Sequence, residues 1–258
     1  MREAIPKYGP EWLRLIATDA ERSARVIVPL LIDLFSPESV IDVGCGTAAW
    51  LSEFRTHGVD DVVGVDGDYV QREELTIPVE RFVPADLEAG VELDREFDLA
   101  LCLEVAEHLS AAAAPKLIGC LARLAPNIAF SAAVPGQGGN HHVNEQWPSY
   151  WSELFAQRGY TVWDCIRPRI WTDDRVAFWY SQNTFLYCRS KPQRSDEALG
   201  WDTIRTPLEV VHPMALPNAL WRVAHATPAI PSLRAWLRML PSVARQAAHA
   251  GHTRNNRE

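Results

Sequence analysis

Residues 40–50 read VIDVGCGTAAW, and no other stretch restricts the fold as tightly. An apolar run, Val40–Val43, is interrupted by the single acid Asp42. Gly44 and Gly46 then turn the chain, and Thr47–Trp50 opens a helix. A short strand that is apolar without alternation is buried on both faces, as in a parallel sheet covered by helices. The pattern recurs. Val62–Val65, a short segment near Arg81–Val83, Phe97–Leu103, Ile128–Ala133, Thr161–Cys165 and Thr184–Cys188 read as further strands. Helical spacing runs over residues 10–35, stopped by Pro37, and again over Ala111–Leu124 and Ser149–Arg158. Strands alternating with helices predict a Rossmann-like, doubly wound, mostly parallel seven-stranded sheet with helices on both faces. The expected organisation is an N-terminal helical cap (1–36), a sheet domain (37–190) and a C-terminal extension (191–258). Within the extension, Ser232–Ala250 has helical spacing broken at Pro241, and residues 252–258 are expected to be disordered. The extension is expected to pack on the core or on the second subunit of a homodimer.

Charge and cysteine usage narrow the function classes. The formal net charge is −8, but residues 190–258 carry nine Lys/Arg against five Asp/Glu, which leaves −12 for residues 1–189. So acidic a body argues against nucleic acid as a partner, because such affinity rests on Lys and Arg neutralising phosphates. The five cysteines (Cys45, Cys102, Cys120, Cys165, Cys188) form no CxxC pair and sit mostly in apolar runs. That usage predicts reduced thiols in a cytoplasmic protein. No signal-peptide pattern is present, and Val26–Phe35, the most apolar early stretch, is too short for a transmembrane segment and contains Asp33.

In open α/β sheets a ligand sits beyond the carboxyl ends of the strands, at the first strand-to-helix turn. Gly44-x-Gly46-x-x-Ala49 formally satisfies the dinucleotide fingerprint, so an NAD(P)-dependent oxidoreductase is one reading. Asp42 counts against it: a carboxylate two residues before the first glycine would face a pyrophosphate badly and a cationic amino group well. The string D-x-G-x-G resembles the first motif of class I S-adenosylmethionine (SAM) methyltransferases, whose loop contacts the amino-acid end of SAM. Asp66, in VVGVDGD, lies where that family places its ribose-binding acid. Asp86, with Leu87 beside it in VPADL, lies where an adenine-contacting acid is often found. EFDLALCLEVAEHL resembles the family's fourth-strand motif and adds Glu104 to the SAM-binding residues. The resemblance covers residues 38–135 with four ordered motifs, and extends more loosely to 188. Each of these acids taken alone also reads as a solvated group at a strand end.

Glu104, Glu107 and His108 follow an apolar strand at i, i+3, i+4 spacing, which at a strand-to-helix junction can bring them to one side of the pocket floor. A buried acid is costly unless something pairs with it. A mixed carboxylate and imidazole set suits Mg²⁺, Mn²⁺ or Fe²⁺ better than a thiolate-seeking metal. E-x-x-E-H also resembles a subset of class I enzymes that bind a divalent metal beside the acceptor hydroxyls, among them small-RNA 2′-O-methyltransferases and ubiquinone-pathway O-methyltransferases. In the RNA enzymes a histidine after the fifth strand completes the site. GQGGNHHVNEQW (136–147) supplies His141 and His142 there. The resemblance implies His142 as fourth ligand and His141 as base, an order that can be reversed. In other family members the same motif needs no metal: the Glu pair caps a helix and the His packs locally.

Five tryptophans (Trp147, Trp151, Trp163, Trp171, Trp179), with Tyr150 and Tyr180, follow that loop. Aromatic faces with polar rims suit sugar rings, and Arg167, Arg169, Asp173 and Asp174 are candidates to bind hydroxyls. At least half of the tryptophans, Trp163 first, are expected in the core. NEQWPSYWSELFAQRGY also resembles methyltransferases of bacterial polysaccharide and glycolipid assembly, including the mannoside O-methyltransferases of actinobacterial methylmannose polysaccharide. The combined expectation is a SAM-dependent O-methyltransferase, assisted by Mg²⁺ (or Mn²⁺), acting on a hydroxyl of a saccharide or small glycoside. The alternatives are a metal-independent natural-product methyltransferase, an RNA 2′-O-methyltransferase, the oxidoreductase, and a catalytically silent interaction protein.

Overall fold

A computed structural model describes residues 10–191 and 209–215. The chain divides into two units, Met1–Leu216 and Pro217–Glu258. The second contains no described residue, so the helix expected at Ser232–Ala250 and the tail at 252–258 lie outside the described residues. The elements, in order, are α1 (Pro10–Phe35), β1 (Ser39–Val43), α2 (Ala49–Thr56), β2 (Asp61–Asp66), β3 (Phe82–Pro84), β4 (Leu99–Leu103), α3 (Ala114–Leu124), β5 (Asn127–Ser131), α4 (Pro148–Ala156), β6 (Thr161–Trp163), α5 (Arg167–Ile170), α6 (Phe178–Asn183) and β7 (Phe185–Cys188).

One seven-stranded sheet has the order β3-β2-β1-β4-β5-β7-β6. Strands β1 to β5 are parallel, and β7 runs antiparallel between β5 and β6. The apolar strands divide their side chains between two layers. Val40, Leu99, Leu101 and Leu103 join the layer built with α1, α2 and Tyr180 of α6. Ile41, Val43, Ala100 and Cys102 join the opposite layer with α3 and α4. Burial on both faces is why these strands lack alternation.

Boundaries shift where local chemistry decides them. Helix α3 starts at Ala114 rather than Ala111, with Pro115 in its first turn, where its missing N–H costs no bond. Strand β4 starts at Leu99, not Phe97. Helices α5 and α6 were not legible as periodic segments. Among the described residues, no helix is long and apolar enough to cross a membrane.

Candidate active site

The carboxyl ends of β1, β2 and β4 meet at one edge. Gly44 (φ 88°), Gly46 (φ 53°) and Ala48 (φ 67°) turn the chain from β1 into α2 through left-handed backbone. The Gly44 and Cys45 amides donate to the Val65 carbonyl, at 2.7 and 3.1 Å. A Cβ on Gly44 would overlap Val105, so the segment after β4 lies directly against this loop. A Cβ on Gly46 would meet nothing within 4 Å; Gly46 opens onto space.

Asp66 ties the two loops together. Its carboxylate accepts from Gly46 N (2.7 Å), Gly67 N (2.6 Å) and the Tyr69 hydroxyl. Burial raises its pKa, and these three donors pull the other way. Asp42 is 2 % exposed, and its Oδ2 has no hydrogen-bond partner. Burial, then the nearby charge of Asp66, lifts its carboxyl from 3.8 to about 7. An orphaned acid oxygen, an open glycine turn and a second acid at the end of the adjacent strand fit a ligand with an ammonium group and a ribose, as SAM has. Asp86 is exposed and its Oδ1 accepts from Glu88 N at 3.0 Å, while Leu87 is buried in the α3 layer.

Glu104 follows β4 in left-handed backbone (φ 56°), its amide donating to Ser131 O at 2.9 Å. Asn183 Nδ2 donates to its Oε1 and Gln137 Nε2 to its Oε2, both at 3.0 Å. Gln182 Nε2 in turn donates to Gln137 Oε1 at 2.9 Å, and His212 N to Gln182 Oε1 at 2.7 Å. Glu107, in the 3-10 turn Ala106–His108, is the opposite case. It is 1 % exposed and neither carboxylate oxygen has a hydrogen-bond partner. The Glu107 and Ala133 amides favour the ionised form. Burial and the adjacent Glu104 dominate, pushing its pKa well above the usual carboxylate range.

The histidine loop is stitched to this turn: Val143 N and Asn144 N both donate to Glu107 O, at 2.9 and 3.0 Å. His108 and His142 meet edge to face, with ring centroids 4.8 Å apart. Glu107, His108 and His142 each offer a ligand atom, all within 4.8 Å of one another. One buried carboxylate lacking donors and two imidazoles fit a divalent cation. Glu104 is not in this group; its oxygens are held by amides. Nor does the Glu pair cap a helix, since α3 begins at Ala114 without a side-chain cap. His141 is exposed at the loop tip, with φ 57°.

Several acceptor candidates belong to the scaffold instead. Trp151 and Trp163 are buried in the core, as expected for Trp163. Trp147 is 37 % exposed, and Trp171 packs against His212. Arg167 is corrected: it is buried, pairs with Asp164, donates to Gln182 O at 3.0 Å and lies over the Phe185 ring. Asp173 pairs with Arg175 at 2.6 Å. Spacing in the sequence missed Gln137, Gln182, Asn183 and Glu145. Glu145 alone had a local signal, standing three residues after His142 in a glycine-rich loop whose amides need an acceptor.

The sequence profile of a family described as a methyltransferase domain matches residues 16–166. No curated protein sequence matches the chain. Among solved structures, the chain is similar to an O-methyltransferase family protein from Burkholderia thailandensis (15 % identity, TM-score 0.51, 71 % of this chain and 61 % of that one). It is also similar to the methyltransferase domain of bacterial CtHen1 (18 %, 0.48, 65 % and 97 %). A third is magnesium protoporphyrin IX methyltransferase from Synechocystis PCC 6803 with bound SAH (17 %, 0.48, 66 % and 84 %). At these identities the likeness is one of fold, and the chain spans about 61 % of the length of the Burkholderia protein. The chain belongs to the methyltransferase-domain family and carries the fold of the class I SAM-dependent methyltransferases.

Proposed function

We propose that this enzyme methylates a hydroxyl oxygen, with Glu107, His108 and His142 holding a divalent cation, Mg²⁺ or Mn²⁺, beside the acceptor. The observation that carries the reading is the convergence of these three side chains on a carboxylate that has no hydrogen-bond donor of its own. A cation bound there would polarise the acceptor hydroxyl and lower its pKa, as zinc lowers that of water from 15.7 to about 7. SAM would supply a methyl group on a sulfonium leaving group, so the protein's task is alignment.

The chain's own residues have separate parts in this reading. Asp42 faces the ammonium end of SAM, the Gly44–Gly46 turn lets backbone approach it, and Asp66 takes the ribose hydroxyls. Asp86 and Leu87 border the adenine. Glu104, fixed by Asn183 and Gln137, holds the floor between cofactor and cation. His142 Nδ1 faces Glu145, so His142 would hold a cation through its other nitrogen, and His141 would take the hydroxyl proton. The acceptor class is a saccharide or small glycoside. Trp147, exposed beside the histidine loop, supports it, and vicinal sugar hydroxyls suit chelation. The acidic body counts against RNA. Five buried free thiols fit a reducing compartment, and the reading places the enzyme in the cytoplasm.

The test is a transfer screen with methyl-labelled SAM over mono- and oligosaccharides, catechols and short RNAs, each with Mg²⁺, Mn²⁺ or EDTA. Transfer to a sugar hydroxyl that EDTA stops and Mg²⁺ or Mn²⁺ restores is the expected outcome. Turnover insensitive to EDTA removes the cation from the reading. Calorimetry showing NAD(P)H binding and no SAM binding removes the reading altogether.

A further inference from the structure

We infer that Glu145 is a positioning residue: it holds the ring proton of His142 on Nδ1, so that Nε2 presents its lone pair. The inference deepens the metal-assisted reading above and rests on it for its purpose. The loop that carries His142 closes on one carboxylate. Gly136 N donates to Glu145 Oε2 at 2.8 Å, Gly138 N donates to Oε1 at 2.7 Å, and His142 Nδ1 lies 2.9 Å from the same Oε1. Gly136 (φ 87°) and Gly138 (φ 70°) both have left-handed backbone, and their two amides converge on the one carboxylate.

An ionised carboxylate only accepts hydrogen bonds, so the nitrogen facing it must be the donor. A neutral imidazole carries one N–H; with the proton on Nδ1, Nε2 is the acceptor. The ring cannot easily turn over to exchange its nitrogens. It lies so close to Gly139 that a Cβ there would overlap Nε2, Cε1 and Cδ2. The His108 ring abuts it edge to face, and its side chain is 11 % exposed. Glu145, Gly139 and His108 thus fix the ring's position, and Glu145 fixes its tautomer. Metal-binding histidines need this kind of partner, and loss of one commonly lowers metal affinity 10- to 100-fold.

The experiment compares the full chain with Glu145→Ala and Glu145→Gln. Two-bond ¹H–¹⁵N correlation spectra at pH 8 report the His142 tautomer, with His142→Asn used to assign the ring. Titration with Mn²⁺, followed by electron paramagnetic resonance, reports cation affinity. SAH affinity reports whether each variant is folded. The full chain is expected to show the proton on Nδ1. Glu145→Ala is expected to move it toward Nε2 and to weaken Mn²⁺ binding about 10- to 100-fold, with SAH affinity unchanged. Glu145→Gln retains one carbonyl acceptor and is expected to fall between. A wild-type ring protonated on Nε2 or on both nitrogens overturns the inference. So does an Nδ1 proton that stays in place in both variants, which would make Glu145 a brace for the loop alone. Should the wild-type chain bind no Mn²⁺ while the tautomer still follows Glu145, the positioning role stands and the metal reading falls.

Discussion

Asp42→Asn turns the buried acid behind the glycine turn into a measurement. In the absence of SAM, burial and the charge of Asp66 lift its carboxyl from 3.8 to about 7. At 1.36 kcal/mol per tenfold, the ionised side chain carries a penalty of about 4 kcal/mol above pH 7. The direction follows from linkage. The folded chain holds this proton between pH 3.8 and about 7, where the unfolded chain has already lost it. Stability from this group is therefore highest below that window, declines as pH rises through it, and is flat above. Asparagine removes the charge but puts an N–H₂ donor where Oδ2 has no partner, at a cost of about 1–3 kcal/mol. The net expectation at pH 8 is a variant more stable by about 1–3 kcal/mol, or roughly 2–12 °C in Tm for a domain of this size. Near pH 4 the native acid is protonated too, so the charge penalty is gone and the variant should be the less stable by about 1–3 kcal/mol, the cost of its unpartnered N–H₂. Thermal unfolding from pH 4 to 8.5 without SAM reads this directly, and titration with SAH should show affinity lost in the variant. A variant destabilised equally at every pH would refute the reasoning, because Asp42 would then carry no uncompensated charge.

Other outcomes follow from the same geometry. Glu107→Gln should remove the cation-dependent rise in Tm expected for the wild-type chain at saturating Mn²⁺, which at 100-fold over Kd is about 2.7 kcal/mol, or roughly 5–11 °C. Calorimetric scans with and without Mn²⁺ check it, and an equal rise in the variant would contradict the ligand assignment. Gly44→Ala places a methyl against Val105 at positive φ and should cost about 1–3 kcal/mol of stability by urea unfolding. Gly46→Ala meets open space, so it should cost about 1 kcal/mol in stability yet weaken SAH binding roughly tenfold, read by calorimetry. Arg167→Met strands the buried Asp164 carboxylate and should lose about 3–5 kcal/mol in urea unfolding, while the folded fraction keeps its SAH affinity.

The sheet was legible because its strands are buried on both faces. VIDV and LALCL could be read without alternation, and β1 and β4 fell within two residues of where the apolar runs placed them. Helices α5 and α6 were not legible, and their length explains it: four and six residues show too little of a helical period, and so short a helix is held by tertiary bonds. Ser181 Oγ donating to Ile170 O, and Arg167 donating to Gln182 O, join the two helices to each other. Those bonds also explain the misreading of RPRIWTDDR. Its first arginine looked like a polar group awaiting a ligand, but whether such a group is buried depends on what lies across from it.

The site divides along the same line. Asp42, Gly44, Gly46, Glu104, Glu107 and His108 stand in two short segments, so the sequence could single them out as candidates. The partners that sort the two glutamates apart stand far away: Gln137 is 33 residues from Glu104 and Asn183 is 79. Strand β7 enters the sheet antiparallel beside β5, and this topological step carries the end of α6 to the end of β4. No local pattern encodes that approach. The outcome is an asymmetry between two acids that look alike in the sequence. Glu104 receives one side-chain amide on each oxygen, while Glu107 receives no hydrogen-bond donor and is the more deeply buried. A carboxylate supplied with donors has no need of an ion; one denied them must either stay protonated or meet a positive charge. The two histidines beside Glu107 make the second course available: their ligand atoms lie within 4.8 Å of its carboxylate, and a cation held among the three would supply the positive charge.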